Sequence, residues 1–144
     1  MLKKISIISV LMAMISLNVA AHSGATGIVK ERMDKFGETR GHMKAIYGLL
    51  KAEKLDEVVA HADGIHQWSL EMADYFPAGS NDAPSDALDA IWEKPAAFAA
   101  AIADHQDAAS MLKEAALAGD ISAANSAFKT LGGTCSSCHR QFKK

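Results

Sequence analysis

Apolar residues along this chain recur at steps of three and four rather than two, the spacing that lines one face of an α-helix. From about residue 27 to residue 52, Val29, Met33, Phe36, Arg40, Met43, Tyr47 and Leu50 form one such seam, with Arg40 as its single polar member. A second helix is predicted over about 55–76, with Val58, Val59, Ala62, Ile65 and Met72 on its buried side and Pro77 and Gly79 to end it. Residues 77–89 hold Gly79, Asn81, Pro84 and several Asp and Ser, which is loop chemistry. Ile91 and Trp92 are expected to dock inward before Pro95 opens a third helix, whose buried face carries Phe98, Ile102, His105, Ala109, Leu112 and Ala116. Gly119 closes that helix. Asp120 then caps a fourth, in which Ile121, Ala124, Phe128, Leu131, Cys135, Cys138 and Phe142 keep the same rhythm to the end.

Four amphipathic segments joined by two short links and one longer loop predict an all-α fold, an antiparallel four-helix bundle in a single domain over residues 22–144. Residues 1–21 read differently. Lys3 and Lys4 precede an apolar run that ends in Val19, Ala20 and Ala21, the build of a secretory signal peptide cleaved after Ala21. The run is short for a membrane span of about 20 residues, so a periplasmic protein with no membrane segment after cleavage is expected. Cleavage would leave 123 residues and change the net charge from −2 to −4 by removing two lysines and no acid. Nothing in that balance suggests a nucleic-acid partner.

Only two cysteines are present, and both fall in Cys135-Ser136-Ser137-Cys138-His139. A disulfide spanning two intervening residues would constrain little of the unfolded chain. A structural zinc site would need further ligands, commonly a second such pair, and a thioredoxin-like redox pair would need alternating strands and helices. The C-x-x-C-H pattern instead matches covalent haem attachment. Thiols three apart on a helix face the same way, each able to form a thioether with a haem vinyl group, while the adjacent imidazole can bind iron. One haem c held by Cys135 and Cys138, with His139 as axial ligand, is the predicted cofactor.

With that motif near the C-terminus of a helical bundle, the chain resembles the class II c-type cytochromes and, among them, cytochrome c′. Leu131-Gly132-Gly133-Thr134, Phe76-Pro77-Ala78-Gly79, Ala90-Ile91-Trp92 and Arg32-Met33-Asp34-Lys35-Phe36 carry the resemblance over residues 27–144. It implies a distal position four residues after Arg32. A methionine there makes low-spin electron carriers, whereas an apolar residue leaves five-coordinate iron open to nitric oxide or carbon monoxide. This chain has Phe36, so a high-spin gas-binding protein capable of electron transfer is expected. Met33, one turn earlier, offers an alternative sixth ligand and a low-spin carrier.

The resemblance also implies that Arg32 pairs with a haem propionate, with solvated surface charge as the alternative. Lys143 stands where many relatives have arginine, and there the surface role is the better expectation. His105 is the remaining histidine whose face suits a second axial ligand, although an ordinary hydrogen-bonded role is the simpler one. No distal acid–base pair is visible, so no enzymatic activity is expected. Gly37 and Gly41, a turn apart, would let another helix come close, and the resemblance implies a homodimer through the first two helices. Redox partner proteins follow from the same reading.

Overall fold

The computed structural model describes residues 24–144, and the segment expected to be a signal peptide lies outside them. The helices are α1 (Gly27–Lys51), α2 (Leu55–Glu71), α3 (Ala90–Glu93), α4 (Pro95–Leu117) and α5 (Ile121–Phe142), with a 3-10 turn at Met72–Tyr75. The four long helices form the expected bundle. Three-residue links between α1 and α2 and between α4 and α5 make each pair antiparallel neighbours. The second link uses Gly119 at φ 70° to turn the chain out of α4, a left-handed conformation that glycine adopts without strain. Asp120 then accepts a hydrogen bond from the Ala123 N–H at 2.8 Å, the N-cap expected of it. Among the described residues no helix is long and apolar enough to cross a membrane.

Three local expectations are corrected. The second helix gives way at Met72 to a tighter turn that ends before Phe76, and the Trp92 Nε1–H donates to the Phe76 carbonyl at 3.0 Å. Residues 90–93 form a short helix of their own, with Ile91 buried. The α1 seam is rotated: Arg32, Thr39, Ile46 and Leu50 are its buried members, while Tyr47 is 54% exposed and lies against Phe128 with its ring at 6.5 Å. Rotation follows from α1 having to face α2 and a cavity at once, so no single three-and-four seam describes it.

The interior has two parts. Beside the short links, Ile46, Leu50, Val58, Ile65, Leu112 and Leu131 pack with small alanines into an aliphatic core. At the other end, Trp68, Met72, Ile91, Phe98, Ile102 and Phe142 form an aromatic-rich cluster against which Phe36, Phe76 and Cys138 pack. Contact between α1 and α5 is sparse, and the gap between them is where the cavity lies. Residues 85–88 close this end through the C-terminal tail: Leu88 N–H donates to Phe142 O at 3.0 Å, and Lys144 N–H to Asp86 O at 2.9 Å.

The aliphatic core carries the stability of the sealed end. Leu112→Ala, at a fully buried position, should lower unfolding free energy by about 2–5 kcal/mol. Denaturant titration followed by circular dichroism checks this; a loss below about 1 kcal/mol would mean that the core collapses around the vacancy.

Candidate haem site

The cavity between α1, α4 and α5 has a volume of about 350 Å³. Cys135, Cys138 and His139 line it from α5, Met33 and Phe36 from α1, and Ile102 and His105 from α4. The helical register brings the three residues of the attachment motif to one space, as their spacing predicts. Both cysteines are free thiols and half-buried. Burial pushes each thiol pKa above its ordinary value, so both stay protonated at neutral pH. His139 stands at the rim, exposed on one side. Partial burial, then the charge of Lys143, lowers its pKa and favours the neutral imidazole that binds metal.

The opposite wall is built by edge-on aromatic packing. Phe36 meets Trp68 at a centroid distance of 5.6 Å and an interplanar angle of 89°, and Phe76 at 6.4 Å and 63°. Phe98 continues the chain to Phe76 and Phe142. The sequence pattern overlooked Trp68, although it is buried behind Phe36. Its position, three residues after Ile65 and four before Met72, was the available signal. Its Nε1–H has no acceptor among the described residues, an orphaned donor in the cluster that borders the cavity.

Arg32 also lines the cavity, yet it is almost fully buried, at 3% exposure. Its Nη1 donates to Ser80 Oγ at 2.8 Å and to the Tyr75 carbonyl at 3.3 Å, and its Nη2 donates to Ser85 Oγ at 2.6 Å and to the Ser80 carbonyl. The guanidinium carbon lies 4.6 Å from the centroid of Phe76, a cation–π contact. Burial lowers the Arg32 pKa, but the group remains a cation at any ordinary pH. Among the described residues no carboxylate is paired with it.

His105 is buried, and its Nδ1 lies 2.9 Å from Thr134 Oγ1. The Thr134 hydroxyl has one proton, donated to the Leu131 carbonyl at 2.7 Å. Its oxygen therefore accepts from His105, which assigns the proton to Nδ1 and leaves the lone pair on Nε2. Lys143, beyond the motif, lies 3.7 Å from Asp86 in an exposed ion pair. Neither partnership follows from spacing along the chain.

Residues 27–143 match the family model described as Cytochrome C'. The chain belongs to the cytochrome c′ family. Cytochrome c′ of Rhodospirillum rubrum is 33% identical over 145 aligned positions, covering 99% of each chain. The structure of cytochrome c prime from Shewanella frigidimarina aligns with a TM-score of 0.74 at 28% identity, over 81% of this chain and 94% of that one. A ferrous variant of cytochrome c prime from Alcaligenes xylosoxidans with bound NO aligns with a TM-score of 0.74 at 26% identity, over 81% and 93%. Membership makes the protein a non-enzymatic haem protein and implies covalently held haem c; the family is typically periplasmic. The residues present fit that group: two free thiols three apart, a neighbouring imidazole, largely apolar walls and a buried cation without a carboxylate all address one cavity.

Arg32→Met should loosen residues 77–89, because it leaves the Ser80 and Ser85 groups buried without their donor. A loss of about 2 kcal/mol or more in stability and new protease cleavage within that loop are expected; an unchanged cleavage pattern would remove Arg32 from this role. His105 generates a pH prediction. Desolvation, with a smaller contribution from His139, lowers its folded pKa below the ordinary 6.5, so the unfolded chain binds its proton first. Its contribution to stability is full above about pH 6.5 and declines as pH falls through the depressed folded value. His105→Gln should flatten part of the stability loss between about pH 7 and pH 5, measured by denaturant unfolding at each pH.

Proposed function

We propose that this protein is a periplasmic monohaem cytochrome c′, high-spin and five-coordinate, that binds small uncharged gases such as nitric oxide and carbon monoxide and can pass electrons to partner proteins. The observation that carries the proposal is that Phe36 and His139 line the same cavity. One haem c would be held by thioethers from Cys135 and Cys138, with His139 as the axial ligand. Haem in this cavity would supply an iron centre that changes valence and takes a diatomic ligand.

The surrounding residues act by exclusion and charge. Phe36 has no lone pair to offer a metal, and its edge contacts to Trp68 and Phe76 restrain the ring. A ligand entering on that side must displace an aromatic ring, which selects for small, uncharged molecules. Arg32 would face a propionate as the counter-charge it lacks within the protein, while its present hydrogen bonds keep the loop closed over this end of the bundle. The neutral form of His139 favoured by its surroundings is the form that ligates. The bound NO of the Alcaligenes xylosoxidans variant supports the choice of gas.

A second reading has its own observation. Met33 lines the cavity one helical turn from Phe36, and a thioether there suits a low-spin electron carrier. Export with cleavage after Ala21 and a homodimer through α1 and α2 complete the proposal; the open space around Gly41 on α1 supports the latter.

Optical spectra of the purified holoprotein, oxidised and reduced, with and without carbon monoxide, test the reading. A broad reduced Soret band that sharpens with carbon monoxide is expected. Phe36→Ala should speed carbon monoxide binding by roughly tenfold or more, equivalent to about 1.4 kcal/mol off the barrier. Sharp low-spin bands that ignore carbon monoxide, converted to high spin by Met33→Leu, would overturn it in favour of the electron carrier.

A further inference from the structure

Outside the cavity, the described residues contain one pair of imidazoles in direct contact. His42 on α1 and His61 on α2 bring their Nδ1 atoms to 2.9 Å. Their ring centroids are 5.2 Å apart, longer than that separation by about the two ring radii, so the nitrogens face each other head-on. Two facing ring nitrogens at hydrogen-bond distance hold one proton between them. At least one of the pair therefore keeps a basic lone pair.

The placement depends on a glycine. A Cβ at Gly64 would stand 2.9 Å from His42 Nε2 and 3.1 Å from its Cε1, so only the absence of a side chain lets the ring lie against α2. Packing thus occupies the Nε2 side of His42 and leaves Nδ1 as its available donor atom. Both histidines are half-buried and keep one side toward solvent. Among the charged neighbours, Glu38 lies one turn before His42 on α1 and acts on it electrostatically, with Lys35 at 4.0 Å from the Glu38 carboxylate. On α2, Asp63 is engaged with Lys113 of α4 at 2.7 Å.

We propose that the Nδ1 atoms of His42 and His61 together bind a divalent transition metal ion of the imidazole-preferring class, such as Zn(II), while the shared proton moves to Nε2 of the ring that carries it. Zinc–nitrogen bonds of about 2.0–2.1 Å at a tetrahedral angle set two nitrogens roughly 3.3 Å apart, so the pair must open by about half an ångström and both rings must tilt by roughly 35° from head-on for their lone pairs to meet at the metal. Among the described residues no three His, Cys, Asp or Glu side chains converge on one point. Water, with Glu38 after a rotamer change, would complete the coordination. Two nitrogen donors and few oxygens disfavour Mg(II) and Ca(II), which need an oxygen cage. Each ring then ligates as the neutral imidazole with its proton on Nε2, and protonation of either Nδ1 competes with the metal, so affinity falls as pH falls.

Calorimetric titration of Zn(II) into the holoprotein in metal-free buffer tests the site. One ion per chain is expected. His61→Gln and His42→Gln should each weaken binding by roughly tenfold or more, the effect expected of removing one of two nitrogen donors. His66→Gln, on the same helix but outside the pair, should leave affinity unchanged. The haem absorption spectrum and helical circular dichroism of each variant establish that it is folded. From pH 7.5 to 5.5 the affinity should fall by roughly tenfold or more. No binding by the parent protein, an affinity unchanged in folded His61→Gln, or an affinity indifferent over that pH range would each overturn the site.

Discussion

Two thiols and an imidazole on the last turns of α5 must address a space that no side chain of the protein fills. That constraint organises the molecule. A bundle with a cavity of about 350 Å³ at one end loses packing there, so the sealed end must be dense. Small alanines at 108, 109, 116, 124 and 127 bring α4 and α5 close around Leu112 and Leu131. α1 is held mainly by α2 and makes little contact with α5, leaving the gap between them open without separating the helices elsewhere.

Closing the open end falls to polar chemistry as well as to aromatic packing. Arg32 is a buried cation whose nearest partners are neutral hydroxyls and carbonyls. Those bonds hold residues 77–89 against α1 and Phe76, while residues 85–88 meet the C-terminal tail immediately after the attachment motif. The same loop therefore connects α1 to the end of α5 that carries the motif. A positive charge buried without a carboxylate is costly in isolation, which is a physical reason for an anionic group to be accommodated beside it.

The sequence was most informative where local spacing suffices. Four helices, their links, the Asp120 cap, the α4 face and the convergence of Cys135, Cys138 and His139 all follow from intervals of three, four and one residue. Spacing failed on α1, where Tyr47 lies outside and Arg32 and Thr39 lie inside. A helix that borders both a core and a cavity has no single buried stripe. Trp68, the short helix at 90–93 and the role of Ser80 and Ser85 depend on partners distant in sequence. Gly64 went unnoticed for the same reason: only the packing of α1 on α2 shows that its missing side chain makes room for His42.

By itself the sequence determined the helical class, the bundle and the motif that sets two thiols and an imidazole together near the end of α5, because helical periodicity and the C-x-x-C-H spacing are local properties. Only the tertiary structure decided which side chains face those residues. It set Phe36 against Trp68 and Phe76, brought His105 to Thr134, tied Arg32 to the loop and joined His42 to His61 across two helices. Such pairings depend on the rotation of each helix about its axis, which is fixed by how all the helices pack together and not by the pattern within any one of them.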